Sequence, residues 1–263
     1  MTPIHDYWRI QEEGTPLFPD IEWSRPEQRS LAGKLAIVGG NPLGFAGVAE
    51  AYTVASQAKV GEIRVLLPDT LKKAIPKNIT DTVFAPSNPV GGLGKDARAD
   101  LHAMGEWASG VLLIGDAGRN SETAMLYEEF LTTYSGQLTI SRDAIDVIKN
   151  SAQPLVERPQ TLFVASFAQL QKLFQSVYFP KVLTFNMQLS NLVETLHKFT
   201  ISYPITILTL HRETLLIAHD GQVVTMKWEN PMSIWRGSVA TRAASYWLWN
   251  PTKPLEAIAT SLV

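Results

Sequence analysis

The sequence contains no cysteine, which excludes disulfides and thiolate metal sites and fits a reducing cytoplasm. It also has no basic excess: 23 Lys and Arg stand against 25 Asp and Glu, spread along the chain, for a formal net charge of −2. Neutralising nucleic-acid phosphates takes a concentrated basic face, so no nucleic-acid partner is expected. No apolar run approaches the roughly 20 residues that a membrane helix needs, so no membrane association is expected. Met1 to Gln11 carries His5, Asp6 and Arg9 and no apolar stretch, unlike a signal peptide, and the expected location is the cytoplasm. Walker, Gly-x-Ser-x-Gly and zinc patterns are missing. None of the five histidines stands at metal-ligand spacing from another histidine or a carboxylate, so no protein-held metal is expected. His211 and His219 read as surface or loop residues flanking a strand, and Trp247 with Trp249 as a packing pair.

What is present is a chain of 263 residues, 45% hydrophobic, enough for one large α/β domain with a buried core. Residues 1–33 are polar, are interrupted by Pro16, Pro19 and Pro26, and hold Trp8 and Trp23. They read as a lead-in or arm, with 1–29 outside the domain proper and 30–263 inside it; its aromatics would pack on a neighbour. From residue 34 onward short apolar strand-like runs alternate with helical patterns. Strands are expected at 34–38, 63–67, 83–84, 111–114, 138–140 and 161–164, and helices at 45–58, 96–107, 121–133, 142–149 and 167–178. After a helix at 186–199 come a strand pair, 206–210 and 214–218, and a hairpin turn at Asp220-Gly221 leading into 222–227. Helices at 238–248 and 255–262 close the chain. The alternation predicts a three-layer α/β/α fold with a mainly parallel central sheet and a late antiparallel hairpin. No internal repeat is present.

In an open parallel sheet ligands sit beyond the carboxyl ends of the strands, so the turns there hold the candidate residues. Three are rich in glycine or polar groups. The first runs from Gly39, Gly40 and Asn41 through Gly44 to Gly47, before a helix of small residues; it either lets a ligand approach the backbone or only permits tight turns and close packing. The second, Gly115, Asp116, Gly118 and Arg119, could contact a ligand, or its charges could pair with each other. The third, 234–238, places Arg236, Gly237 and Ser238 before a helix; it could hold a phosphate or carboxylate, or Ser238 could simply cap the helix with Trp235 in the core.

In this order the segments resemble the ATP- or ADP-dependent NAD(P)H-hydrate dehydratases, which share the ribokinase-like fold; the resemblance spans about residues 30–263. The family's Gly-Gly-Ser strand end appears as Gly39-Gly40-Asn41, followed by the glycine loop and an alanine-rich helix. Its proline-plus-acid strand end appears as Pro68-Asp69, its Gly-Pro-Gly-Leu-Gly loop as the segment from Gly115 to Arg119, and its Asp-Ala-Asp-Ala-Leu segment as 141–145 with Asp143. The resemblance implies substrate contacts at Gly39, Gly40, Asn41, Gly44, Gly115, Asp116, Gly118, Asp143, Ser166 and Gln169. Nucleotide contacts are implied at Arg236, Gly237 and Ser238. The implied cofactor is ATP or ADP with Mg2+, the implied partner a nucleotide or dinucleotide ligand, and the implied assembly a homo-oligomer.

The departures fall on the chemistry. The family's Thr-Pro-His-Pro-Gly-Glu stretch aligns with 164–169, where Ser166 and Gln169 replace the histidine-and-carboxylate pattern, and its Lys-Gly pair aligns with Leu210-His211. Its Gly-Thr-Gly-Asp signature aligns with 235–238, so Ser238 stands where the resemblance puts the general base, and Trp235 and Arg236 stand where it puts small residues. A serine has no pKa near neutrality and cannot take a proton as a carboxylate does. The expected function is therefore that of a divergent, catalytically impaired homologue keeping at most nucleotide or metabolite binding. Two alternatives stay open: an active dehydratase or small-molecule kinase with a relocated base, for which Asp116 and Asp143 are candidates, and a non-catalytic interaction protein.

Overall fold

The computed structural model describes residues 5–263. Ten strands form one sheet: β1 (Trp8–Gln11), β2 (Lys34–Gly39), β3 (Glu62–Pro68), β4 (Thr82–Ala85), β5 (Gly110–Gly115), β6 (Gln137–Ser141), β7 (Thr161–Ser166), β8 (Thr206–His211), β9 (Thr214–His219) and β10 (Gln222–Lys227). Their spatial order is β1-β10-β9-β8-β7-β6-β5-β2-β3-β4. The seven neighbouring strands from β4 across to β8 are mutually parallel, while β9 runs antiparallel to both β8 and β10. The order reverses between β2 and β5, and this switch point is where an open parallel sheet leaves a crevice at its strand ends.

The helices are α1 (Asp20–Trp23), α2 (Ala46–Gln57), α3 (Arg98–Trp107), α4 (Ser121–Thr133), α5 (Ala144–Val147), α6 (Ala152–Glu157), α7 (Phe167–Ser176), α8 (Leu189–Ser202), α9 (Met232–Arg236), α10 (Ser238–Trp249) and α11 (Pro254–Thr260). Strand side chains alternate between faces, and both faces are covered, so the central strands read as continuous apolar runs. Leu35 and Ile37 of β2 pack in one core with residues of α2, α10 and α11. Ala36 and Val38 face the other, with residues of α3, α4, α7 and α8. The result is the expected three-layer α/β/α architecture with its late antiparallel hairpin. Among the described residues no helix is long and apolar enough to cross a membrane.

Two segments depart from the sequence expectation. The helix anticipated over 142–149 shrinks to α5, because Arg142 takes a left-handed backbone (φ 57°) that no helix can include. The N-terminal stretch, expected as an arm, supplies β1, which pairs in parallel with β10 (Trp8 with Val223). Trp8 packs within its own chain at 4% exposure, its Nε1 donating to Thr225 Oγ1 at 2.8 Å, whereas Trp23 is exposed. Trp247 is core, and Trp249 Nε1 donates to the Ala32 carbonyl, the packing role expected of the pair.

Candidate functional site

The first two glycine turns meet at the switch point. Gly39 of β2 lies beside Gly115 of β5, and the Gly40 N–H donates to the Gly115 carbonyl at 2.9 Å. Asn41 and Gly44 close a tight loop with paired main-chain bonds of 2.9 and 3.1 Å. The Asn41 side chain accepts from the Leu43 N–H (2.7 Å) and donates across to the Asp116 carbonyl. Gly118 lies beside that amide group.

Asp143, just beyond β6, uses both carboxylate oxygens on the second turn: Oδ1 accepts from the Asp116 N–H at 2.8 Å and Oδ2 from the Ala117 N–H at 3.3 Å. Asp116 turns its own side chain the other way. Its Oδ2 accepts from the Gly47 N–H at 2.6 Å, in the first turn of α2, and its Oδ1 receives the Arg142 guanidinium at 2.7 Å. Nine of the predicted or quoted loop residues (Gly39, Gly40, Asn41, Gly44, Gly47, Gly115, Asp116, Gly118 and Asp143) thus come together. Arg142 is the member that sequence reasoning missed. Its signal was a basic residue just past one strand end, level with an acidic one past the neighbouring strand.

The third loop reaches the same group from the α10 side. Gly237 (φ 94°) has Ile114 and the Arg142 side chain where a Cβ would stand. The first amides of a helix lack intrahelical partners, and no side chain caps α10. Ser238 Oγ points back instead, donating to the Ser233 carbonyl at 2.9 Å. Arg236 and Trp235 are exposed.

Ser166 and Gln169 begin α7 as a capping box. Ser166 Oγ accepts from the Gln169 N–H at 3.2 Å, and Gln169 Oε1 accepts from the Ser166 N–H at 3.0 Å. Gln169 Nε2 then donates to the Arg142 carbonyl (2.9 Å) and to Asp146 Oδ2 (3.0 Å). Beyond this box, at the ends of β7 and β8, opens a cleft of about 480 Å³ walled by Ser166, Phe167, Phe185, His211, Arg212 and Trp235. Phe167 packs its ring centroid 4.8 Å from His211 and 5.1 Å from Phe185. His211, anticipated at the surface, is 4% exposed because it ends β8 beneath these rings. Its Nε2 lies 3.2 Å from the Met187 carbonyl. Burial lowers its pKa below the ordinary histidine value, the Met187 hydrogen bond opposes this, and Arg212 adds to the lowering.

Comparison with solved structures decides the fold. A ribokinase-like superfamily protein from Enterococcus faecalis V583 superposes with a TM-score of 0.73 at 15% identity, over 99% of this chain and 87% of that one. The fold is ribokinase-like. An ADP/ATP-dependent NAD(P)H-hydrate dehydratase from Bacillus subtilis, co-crystallised with ATP/Mg2+, superposes at a TM-score of 0.60 and 10% identity, covering 95% of this chain and 86% of its own. Phosphomethylpyrimidine kinase from Clostridium difficile 630 does so at 0.54 and 12%, covering 87% and 96%. No family model matches the sequence. In sequence, 103 residues are 32% identical to the AP-1-like transcription factor YAP4 of Saccharomyces cerevisiae; this takes in 33% of this chain and 32% of that protein. The chain thus spans about a third of the length of the curated relative it matches.

On this ribokinase-like scaffold the two halves of the candidate site differ in character. The switch-point half is filled by the chain's own polar groups, with Asp116 9% exposed. The half at β7 and β8 is the open one. Among the described residues no group of three or more His, Cys, Asp or Glu is placed to hold a metal ion.

Proposed function

We propose that this chain is a divergent, catalytically impaired homologue of the ATP/ADP-dependent NAD(P)H-hydrate dehydratases that binds a nucleotide or dinucleotide in the cleft at the ends of β7 and β8. The observation that carries the reading is the engagement of both candidate bases. Asp143 is spent on two main-chain N–H groups, Asp116 on the Gly47 N–H and Arg142, and Ser238 stands at the start of α10 without a carboxylate. General-base catalysis needs a group that is free to take the proton at the reacting atom.

The cleft supports the binding half of the proposal. Its volume of about 480 Å³ lies in the range of ordinary ligand pockets, and its walls are largely apolar and aromatic. Trp235 and Phe185 offer faces for a heteroaromatic ring, and Arg212 offers charge for phosphates. A bound nucleotide would bring Mg2+ on its own phosphates.

The test joins binding with turnover. Thermal shift and calorimetry against ATP, ADP, AMP, NADH and NADPH should show saturable stabilisation by at least one of them, reaching about 2.7 kcal/mol at a hundredfold excess over Kd. Trp235→Ala should weaken it at least about tenfold, the loss of one stacking contact. NADPH hydrate with ATP or ADP should not be dehydrated. Turnover at the level of an active dehydratase overturns the impairment, and a flat response to all five ligands in the folded protein favours an interaction role instead.

One observation favours a second reading, an active enzyme with a relocated base. The His211 tautomer that donates from Nε2 to Met187 carries its lone pair on Nδ1, in the cleft wall. Turnover abolished by His211→Asn with nucleotide binding intact would establish it.

A further inference from the structure

The ion pair at the strand ends of β5 and β6 occupies a position that a ribokinase-like strand-end crevice could leave to a ligand. Asp116 Oδ2 sits on the Gly47 N–H at the start of α2, a helix of 12 residues with no other side-chain cap. The N–H groups and dipole at such a helix start favour an anion, and here the anion is the chain's own carboxylate. Arg142 holds it there, and the two side chains are 9% and 19% exposed.

The glycines of the loop are fitted to these side chains. A Cβ on Gly44 would touch the Asp116 carboxylate, one on Gly47 would take the place of the Arg142 guanidinium, and one on Gly115 would collide with Asp143. Asp116 (φ 53°) and Arg142 (φ 57°) both hold left-handed backbone, which costs a non-glycine residue about 1–2 kcal/mol. Such strain persists only where surrounding interactions over-determine it. Here those interactions are the pair itself, the Asp143 carboxylate and the Gln169 bond to the Arg142 carbonyl.

We propose that Asp116 and Arg142 form an internal latch: the carboxylate occupies the anion position of the glycine loop from within, the guanidinium helps to hold it, and the switch-point turns stay closed to anionic ligands while the carboxylate is in place. The latch stands independently of the cleft at β7 and β8, since it concerns a different set of strand ends.

Inorganic phosphate is the probe, followed by amide resonances of Gly44 and Gly47 in the full chain. In the native protein these should not respond to phosphate through the millimolar range. Asp116→Gly keeps the left-handed backbone without strain, frees the Gly47 N–H and leaves Arg142 unpaired beside it. This variant should bind phosphate at least about tenfold more tightly than the native chain, the gain of one charge-assisted hydrogen bond. Arg142→Met leaves the carboxylate in place and should bind no better than the native protein. Native binding at Gly47 as tight as in Asp116→Gly, or a gain in Arg142→Met, overturns the latch. Asp116→Asn, which suits left-handed backbone and removes only the charge, covers the case in which Asp116→Gly does not fold: it should show a smaller gain in the same direction, and no gain in the folded variant also overturns the proposal.

Discussion

The carboxylate of Asp143 fills the space that Gly115 leaves by having no side chain. Oδ1 of Asp143 is held against the Asp116 N–H at 2.8 Å, and a Cβ on Gly115 would collide with that same oxygen. Gly115 also sits at φ 91°, where an L side chain is strained whatever the space. Gly115→Ala should therefore lower stability by about 3 kcal/mol, combining backbone strain with displacement of the half-buried Asp143 carboxylate from its two N–H partners. Urea unfolding followed by circular dichroism measures it. A loss below about 1 kcal/mol would mean that the turn relaxes freely and that Asp143 does not hold it.

Gln169 occupies the place where the resemblance puts a carboxylate, and its surroundings explain why a carboxylate would be unwelcome. Its amide nitrogen lies 3.0 Å from Asp146 Oδ2 and 2.9 Å from the Arg142 carbonyl, two acceptors that need a donor. Gln169→Glu preserves the capping box but sets an acceptor against both. The expected result is a destabilisation of about 1–3 kcal/mol that lessens in high salt. Gln169→Ala should cost about 1–2 kcal/mol through loss of the box and should be insensitive to salt. Paired unfolding curves at two ionic strengths separate the effects; equal, salt-independent losses would remove Asp146 from the explanation.

Two histidines give the fold a pH dependence. Burial lowers the pKa of His211 and of His219, with Met187 opposing it at the first and Asp220 and Glu256 at the second. Both are therefore neutral in the folded chain at pH values where the unfolded chain, with ordinary values of 6.5, has begun to bind protons. Their contribution to stability is complete above that value and is lost as pH falls through the folded pKa values. The urea midpoint should accordingly decline from about pH 7.5 to about pH 5.5, and a His211→Asn/His219→Asn double variant should flatten the decline. A profile with the same slope in both proteins would place the proton uptake elsewhere.

The sheet was legible where burial on both faces leaves an unmistakable apolar run, as in 34–38, 111–114 and 161–164, and where Asp220-Gly221 marks the hairpin. β1 was not, because Trp8–Gln11 is four residues long in a proline-broken stretch and is fixed by a strand more than two hundred residues away. The glycine turns were visible as turns, yet their purpose was not. Whether the space beside a glycine admits a ligand or the chain's own side chain depends on strand order, which sets Gly115 beside Gly39 and brings Arg142 to Gly47. Phe185 lies between α7 and α8 with no periodic pattern, so its place in the cleft wall had no local signal.

The same non-local character makes the N-terminal strand a test of how far the fold extends toward the start of the chain. Trp8 is 4% exposed, its indole N–H is satisfied by Thr225 Oγ1, and Gln11 of the same strand donates to the Ala259 carbonyl in the last turn of α11 at 2.8 Å. A strand held by such contacts is part of the packed sheet, whereas an arm that docks on another molecule would leave its tryptophan dispensable to the folded chain. Trp8→Ala should cost about 3–5 kcal/mol through the cavity it opens, with a further penalty for the unpaired Thr225 hydroxyl. Trp8→Phe retains most of the buried ring and should cost about 1–2 kcal/mol, reporting mainly the lost hydrogen bond. Unfolding curves for both variants at several protein concentrations make the distinction: concentration-independent losses of this size place the tryptophan in its own sheet, and a Trp8→Ala midpoint equal to the native one would assign it to a partner.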